Sequence, residues 1–226
     1  MARPLTKRAG GGNESSVQRV LQTLRERITR HDLPPGSKLF ENELSAEFGV
    51  SRAKIRDVLA ILQQRGLIER IPKRGAVVER LDPAQVFHIY NVREALEGVC
   101  ARLATQNMPA ESWQDLVTLF GKPIEDDIKR GDLEAYIAKL DVFRRRTIEG
   151  AQNPVLADML ENIQDRTRMI IRRIIILPGR AEIGLREHRA VLQAMRKGDA
   201  EATETAKRAN IRSGAEYLRR YQSFVL

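Results

Sequence analysis

The chain has 226 residues, enough for one large domain or two modest ones, and its 42% apolar residues can supply a sizeable core. Its formal net charge of +9 suits a polyanionic partner. Cys100 is the only cysteine, which excludes an intramolecular disulfide and a cysteine-based zinc cluster. Because the sequence has no signal-peptide pattern and no apolar run of membrane length, we expect a cytoplasmic protein with no membrane partner.

The chain begins with a segment that has little to bury. Residues 1–14 are rich in glycine and basic residues, so we expect a disordered basic tail. Residues 16–30 then predict an amphipathic helix, because their apolar side chains recur every three or four positions. This helix opens a predicted DNA-binding domain over residues 15–81, and its buried face is formed by Val17, Val20, Leu21, Leu24 and Ile28.

Residues 36–78 predict a helix, a tight turn, a second helix and a short β-hairpin. The turn is Gly49-Val50, and Ser51 can cap the second helix by accepting backbone N–H bonds. One face of that helix is apolar, whereas the opposite face carries Arg52, Ala53 and Arg56, with Lys54 on its flank. A helix that is small at its centre and cationic around it suits insertion into the major groove of DNA.

The predicted hairpin has a basic tip. Two short segments, 67–71 and 76–80, flank the turn Pro72-Lys73-Arg74-Gly75, which favours a wing over the phosphate backbone or the minor groove. An Arg-x-x-x-Arg pair alone indicates only a solvated helix face. The turn, the capping serine and the basic hairpin together favour DNA binding, and residues 1–82 hold 16 Lys/Arg against 10 Asp/Glu.

These features resemble the winged helix-turn-helix of the GntR transcription regulators. The resemblance implies DNA contacts from the helix-turn-helix and the wing tip. This sequence departs from the family pattern at Phe40, where a serine cap is usual, and at Lys54, where Pro or Thr is usual. The match is carried by Gly36, Leu39, Glu41, Leu44, Val50-Ser51-Arg52, Arg56, Leu59, Leu62, Gly66-Leu67 and Gly75. The implied DNA-binding residues are Asn42, Ser51, Arg52, Ala53, Lys54, Arg56, Arg74 and Gly75.

A second domain is predicted over residues 82–226, with Asp82 as a helix cap and Pro83 at the helix start. No strand pattern occurs here, and five or six helical segments follow, of which 110–130 is interrupted at Gly121 and Pro123. The predicted fold class is therefore mainly α. It comprises an N-terminal winged helix-turn-helix (three helices plus a small β-hairpin wing) followed by an all-α six-helix bundle.

The second half resembles the FadR-type C-terminal domain (FCD) of GntR regulators. The residues on which this resemblance rests are 92–97 (Val-Arg-Glu-Ala-Leu-Glu), Phe143 with Asn153-Pro154, and Glu187-His188-Arg189 followed by Gly198-Asp199-Ala200. The resemblance implies an effector-binding and dimerisation domain. It also implies a homodimer whose two recognition helices meet successive turns of a pseudo-palindromic double-stranded DNA operator.

Many members of this family hold a metal in the bundle through one Asp and three His. The matching positions here are Leu140, Arg144, His188 and Asn210, so one imidazole remains, and Asp141 is displaced by one residue. A divalent transition metal normally requires three or four protein ligands. We therefore predict no metal site and no other cofactor.

The replacements at these positions favour an anion. Arg144 shares a helix stripe with apolar residues and should point into the bundle, with Arg93, His188 and Asn210 on inward stripes of other helices. A guanidinium binds a carboxylate in a bidentate manner. We predict that these four residues form an effector site for a small organic acid. The alternative is that Arg144 pairs with Asp141 or Glu97 and that His188 is a satisfied core histidine.

The predicted function is that of a sequence-specific transcriptional regulator, a repressor whose operator binding a small carboxylate effector modulates. Alternatives are a metal-responsive regulator of the same family and a ligand-independent architectural DNA-binding protein. We predict that the chain is not an enzyme. The sequence contains no phosphate-cradling glycine loop, no nucleophile elbow and no convincing acid–base pair.

Overall fold

The computed structural model describes residues 11–72, 74–80 and 82–225, with side chains described over 16–72, 74–80 and 82–223. The chain divides into two compact units between Arg80 and Leu81. The fold class is as predicted, a winged helix-turn-helix unit followed by a helical bundle. The first unit contains α1 (Gly11–Thr29), β1 (Lys38–Leu39), α2 (Glu41–Phe48), α3 (Arg52–Gln64), β2 (Ile68–Ile71) and β3 (Gly75–Val78).

The first unit packs α1 and α2 on α3 and places a small antiparallel sheet beside them. The strand order is β1-β3-β2, with Arg70 opposite Ala76 in the hairpin and Lys38 opposite Val77 on the other edge. Strand β1 was not predicted, because two residues are too few to show an alternating pattern. The core consists of Val20, Leu24, Ile28, Ile55, Val58, Leu59, Leu62, Leu67 and Val78.

The N-terminal tail requires a correction. The first helix starts at Gly11, so residues 11–14, expected to be disordered, belong to its first turn. The rest of the predicted tail, 1–10, lies outside the described residues, as does Lys73 at the wing tip.

Four helices of the second unit begin at a polar capping residue. Asp82, Asp132, Asn153 and Asp199 each accept a backbone N–H from the first turn that follows. Its elements are α4 (Pro83–Asn107), a 3-10 helix (Ala110–Trp113), α5 (Gln114–Leu119), α6 (Lys122–Arg130), α7 (Leu133–Ala151), α8 (Pro154–Ile175), α9 (Arg180–Arg196), α10 (Ala200–Arg220) and α11 (Gln222–Val225).

The interrupted segment 110–130 forms the 3-10 helix followed by two α-helices, α5 and α6. The chain bends at Gly121, where an added Cβ would lie 3.0 Å from the carbonyl oxygen of Thr118, and Pro123 follows in the first turn of α6. The described part of this unit therefore has seven helices of six residues or more, where six were predicted.

Helices α4, α7 and α10 form the centre of the bundle, with α4 packed against both others and α10 also against α9. Their shared core includes the fully buried rings of Trp113, Phe120, Tyr136 and Phe143. Among the described residues, the helices are all too short or too polar to cross a membrane.

Candidate DNA interface and bundle pocket

The turn between α2 and α3 has the local geometry that a helix-turn-helix requires. Gly49 ends α2 in the left-handed conformation with φ of 63°, which glycine adopts without steric cost. Ser51 caps α3 by accepting the backbone N–H of Lys54 at 3.4 Å, as predicted. Phe40 at the start of α2 makes no side-chain cap, which agrees with its departure from the family pattern.

Most of the predicted DNA-binding residues are exposed on the surface of the first unit. Within the helix-turn-helix the exposed ones are Asn42, Ser51, Arg52, Ala53 and Arg56, and in the hairpin they are Arg74 and Gly75. Lys54 differs. Its side chain is partly buried, and its Nζ lies 3.0 Å from the hydroxyl of Ser16 on α1, so it turns toward the first helix.

One cation of the exposed face is engaged within the protein. Arg56 Nε donates to Glu41 Oε2 at 2.8 Å, and this pair connects α3 to the start of α2. The hydrogen bond and the charge of Glu41 raise the pKa of Arg56. A phosphate that binds Arg56 must therefore compete with an acidic side chain for the same guanidinium.

The hairpin adds a groove and one cation that the sequence analysis missed. Gly75 opens β3 with φ of 80°, a conformation that favours glycine. The groove is lined by residues of the hairpin and of the α2 start, among them Phe40, Arg70 and Arg74. Arg70 is exposed on β2, and because Glu69 beside it is exposed as well, simple alternation could not assign Arg70 to the wing surface.

The second unit contains a pocket of about 90 Å³ among α4, α7, α8, α9 and α10, which we call the bundle pocket. All four predicted effector residues line it, each from a different helix: Arg93 from α4, Arg144 from α7, His188 from α9 and Asn210 from α10. Helix α8 contributes an apolar wall, and its isoleucines are Ile171, Ile174 and Ile175.

A buried ion-pair network holds one side of the bundle pocket. Glu97 accepts from Arg93 at 2.7 Å and from Lys207 at 2.9 Å. Burial favours the protonated acid, but these two cations outweigh it and hold the pKa of Glu97 far below its usual range. Glu97 is thus paired, with Arg93 and Lys207 rather than with Arg144.

A second network involves Glu187, which accepts from Arg180 at 2.9 Å and from the amide of Asn210 at 2.8 Å. Burial raises the pKa of Glu187, but the hydrogen bonds from Arg180 and Asn210 lower it below its usual value. The Asn210 side chain is therefore oriented by the protein itself.

Arg144 is the pocket cation without an ion pair among the described residues. Its guanidinium donates to the carbonyl of Leu160 at 3.2 Å. Asp141, the other acid considered as its partner, pairs with Arg168 at 3.2 Å. Burial lowers the pKa of Arg144 below its ordinary value. The charges of Glu97, Glu161 and Asp141 act in the opposite direction but do not offset this burial, so the positive charge is under-compensated and an anion in the pocket would stabilise it.

His188 lies in an apolar environment. Its ring packs against Phe120 and Phe143, with centroids 5.6 and 5.7 Å away, and its Nδ1 lies 2.7 Å from the carbonyl oxygen of Gly184. Because a carbonyl only accepts, Nδ1 carries the hydrogen and Nε2 is an acceptor. Burial lowers the pKa of His188 to about 3, so the ring is neutral at pH 7. These contacts fit the interpretation of His188 as a satisfied core histidine.

The bundle pocket does not fit the family's metal. Of the four corresponding positions, one is an imidazole, and Arg144 places a cation where a ligand would stand. In the part of the chain that the structure describes, no group of three His, Cys, Asp or Glu side chains could hold a metal ion. The chemistry that the pocket offers is that of anion binding.

Two pocket cations were missed by the sequence analysis. Lys207 could have been found, because it lies on a stripe with Thr203, Asn210 and Gly214 that faces the bundle. Arg180 follows a Pro-Gly turn and carries no periodic signal, yet it is buried beside Glu187. Its burial depends on the packing of α9 against α10, which the sequence does not show.

A winged helix-turn-helix with an exposed basic recognition helix, followed by a separate helical bundle, defines a DNA-binding transcriptional regulator. The family model described as bacterial regulatory proteins, gntR family, matches residues 16–78, and that of the FCD domain matches residues 88–213. The chain therefore belongs to the GntR family of bacterial transcriptional regulators, in the group that carries an FCD domain, and it is not an enzyme.

Relatives with this organisation are named as regulators. The HTH-type transcriptional repressor RspR of Escherichia coli K12 is 29% identical over 206 residues, which cover 89% of this chain and 88% of that protein. The uncharacterized HTH-type regulator YdhC of Bacillus subtilis 168 is 28% identical over 202 residues, covering 87% and 88% of the two chains.

Two solved structures share the fold. E. coli McbR/YncC superposes with a TM-score of 0.76 at 21% identity, covering 91% of this chain and 98% of that one. A putative GntR regulator from Rhodococcus sp. RHA1 gives a TM-score of 0.74 at 18% identity, covering 92% and 99%.

Proposed function

We propose that this regulator is a homodimeric, sequence-specific repressor whose operator binding is modulated by a small organic acid in the bundle pocket. The observation that carries the proposal is Arg144, a partly buried cation without an ion pair among the described residues, in a pocket whose other charges are paired. A carboxylate supplies the missing counter-charge and can accept both guanidinium N–H groups. No metal takes part.

The DNA-binding part of the proposal rests on the exposed face of the first unit. Arg52 and Ala53 lie on the first turn of α3, where a recognition helix contacts base edges, and Asn42 lies exposed on α2. Ser51, Lys54, Arg56, Arg74 and Gly75 surround them as phosphate or minor-groove contacts. A dimer would present two such faces to a pseudo-palindromic operator, in the cytoplasm where bacterial DNA lies.

Repression is the proposed direction because several relatives are named repressors, among them RspR and the gluconate operon repressor of Bacillus licheniformis. An effector can release the operator only if it binds one arrangement of the dimer more tightly than another. The bundle pocket suits this role because five helices line it, and a ligand there can bias the packing of each.

Thermal unfolding of the purified full-length protein tests the ligand. We expect one or more acids of an organic-acid panel to raise the unfolding temperature, and the shift to persist after treatment with EDTA. The shift should vanish in Arg144→Ala and remain in Arg145→Ala, which removes the same charge from the exposed neighbour.

Three outcomes contradict the proposal. A shift with divalent metal that EDTA abolishes would indicate a metal-responsive regulator. Acid binding that is unchanged in Arg144→Ala would place the acid elsewhere. If no acid binds and the protein shows no preference among DNA sequences, a ligand-independent architectural role would be indicated.

A further inference from the structure

Two buried hydroxyl groups in the bundle pocket lack hydrogen bonds. Thr167 on α8 and Tyr90 on α4 are each 3% exposed, and both line the pocket. Thr167 Oγ1 has no hydrogen-bond partner among the described residues, and Tyr90 Oη makes no well-formed hydrogen bond there, although Arg93 lies close enough to lower the pKa of the phenol. Most buried polar groups in folded proteins are paired, so each exception calls for a ligand, a water or a functional role.

Thr167 is exceptional among the buried threonines of the bundle. A helical threonine normally satisfies its hydroxyl by donating to the carbonyl four residues earlier. Thr105, Thr147 and Thr203 do so, at 2.8, 2.8 and 2.7 Å. Thr167 occupies the same kind of helical position without that bond, so its hydroxyl remains available to a group in the pocket.

Tyr90 brings a second hydroxyl to the pocket from helix α4. Burial raises the pKa of Tyr90 above its ordinary value, against the opposing charges of Arg93 and Arg180, so the phenol stays protonated at neutral pH. The guanidinium of Arg93 packs over the ring, 5.1 Å from its centroid. A protonated phenol can donate to a ligand oxygen and can also accept from a ligand hydroxyl.

The volume of the pocket limits the ligand. A buried water requires roughly 10–15 Å³ of such space, so the 90 Å³ available corresponds to roughly six to nine water positions. This room suits a short carbon chain with polar substituents, and it excludes a long acyl chain unless the helices move apart.

We infer that the effector is a compact hydroxycarboxylate, whose carboxylate binds Arg144 and whose hydroxyl group is recognised by Thr167 and Tyr90. This inference rests on the proposed acid-binding function and adds its specificity. An acid of the same length without a hydroxyl leaves both protein hydroxyls unpaired in the bound state, and a site built for a hydroxyl discriminates against such an analogue.

Matched pairs of acids test the inference. Isothermal titration of the full-length protein compares malate with succinate and lactate with propionate, two pairs that each differ by a single hydroxyl group. We expect the hydroxylated member of at least one pair to bind about tenfold or more tightly than its partner, equivalent to about 1.4 kcal/mol. In Thr167→Val this preference should shrink several-fold, while binding of the deoxy acid stays unchanged.

Thr105→Val is the control, because it removes a buried threonine hydroxyl that lies outside the pocket and is bonded within its own helix. It should leave the preference intact. Without ligand, Thr167→Val should unfold at the wild-type temperature or above it, since an unpaired buried hydroxyl contributes nothing to stability.

The experiments distinguish a failure of the hydroxyl recognition from a failure of the proposed acid-binding function. Arg144-dependent binding with equal affinity for both members of every pair overturns the hydroxyl recognition and leaves the acid-binding function standing. No binding by any acid overturns both. A clear loss of stability in ligand-free Thr167→Val contradicts the inference as well, because the hydroxyl would then have a structural partner such as a bound water.

Discussion

At the residue scale, the pair between Arg56 and Glu41 sets how freely one cation of the recognition helix can bind DNA. Both side chains are accessible, and an exposed pair of this kind contributes only modestly to stability. Its effect on the proposed DNA contact is larger, because Glu41 holds the guanidinium that would bind a phosphate. In the proposed interface Glu41 is therefore an internal competitor of phosphate.

Glu41→Gln should raise DNA affinity about two- to fivefold at low salt, in line with the modest strength of exposed pairs. Freeing Arg56 for a phosphate should also steepen the salt dependence, by about 0.9 in the slope of log K against log salt for each additional contact. Fluorescence anisotropy over a salt series measures both quantities.

Glu43→Gln provides the control, because Glu43 is exposed on the same helix and its loss changes the net charge equally. If both variants raise the affinity by the same factor, the effect is general electrostatics, and the competition between Glu41 and phosphate is refuted.

His188 predicts a specific pH dependence of stability. The pKa of His188 is about 3 in the folded protein against an ordinary 6.5. Between these two pH values the histidine is protonated in the unfolded chain and neutral in the folded protein. Stability is then complete above pH 6.5 and is lost as the pH falls toward 3. We expect a loss of about 1–2 kcal/mol between pH 7 and pH 5.

Urea unfolding at several pH values, followed by circular dichroism, measures this loss. In His188→Gln the stability should vary much less between pH 7 and pH 5, whatever its absolute value. The exposed His88, replaced in His88→Gln, should leave the wild-type slope in place. An unchanged slope in His188→Gln would show that another group causes the dependence.

The sequence predicted the members of the bundle pocket better than their pairing. Inward stripes identified Arg93, Arg144, His188 and Asn210, because helical periodicity fixes which face a residue occupies. Which acid each cation contacts depends on the relative rotation of helices far apart in the chain. Glu97 was considered as the partner of Arg144, but it pairs with Arg93 and Lys207. The free hydroxyl of Thr167 has no sequence signal at all.

At the element scale, the start of α2 is less firmly capped than the starts of α3 and α4. Phe40 occupies the cap position with φ of −89° and ψ of 119°, a conformation that a capping serine adopts, but it supplies no acceptor. Its ring is 49% exposed, so little packing is lost when it is replaced.

Phe40→Ser should therefore stabilise the first unit relative to Phe40→Ala by about 1 kcal/mol, because both variants remove the ring and only serine adds the cap. Chemical denaturation of the two variants, compared with each other, isolates the cap from the loss of the ring. Equal stability of the two variants would mean that the N-terminal N–H groups of α2 are already satisfied by other partners.

Elements with a strong local signal were predicted well. The caps Ser51 and Asp82, the hairpin around its basic turn and the break at Gly121 all depend on residues adjacent in sequence. Strand β1 was missed, because a two-residue strand exists only through its pairing with β3. The early start of α1 was missed for a different reason, because Gly11 and Gly12 are poor helix formers and their sequence therefore predicts no helix.

At the scale of the whole molecule, the two compact units differ in how they place their charged residues. The first unit carries the exposed cations of the proposed DNA-binding face, and the second buries its charges in paired networks around one under-compensated arginine. A regulator requires that occupancy of the second unit alters DNA binding by the first. The coupling free energy between these two events is the quantity that defines the function.

The most direct measurement of this coupling is the affinity of the full-length protein for DNA with and without acid. The DNA is a sequence selected by the protein from a random library, and the acid is the one that gives the largest thermal shift. We predict that a saturating concentration weakens DNA binding about tenfold or more, equivalent to about 1.4 kcal/mol of coupling, and that EDTA does not alter this response.

Arg144→Ala should bind the same DNA with wild-type affinity and lose the response to acid, whereas Arg145→Ala should retain both. DNA affinity that is identical with and without acid, or a response that persists in Arg144→Ala, would contradict the account.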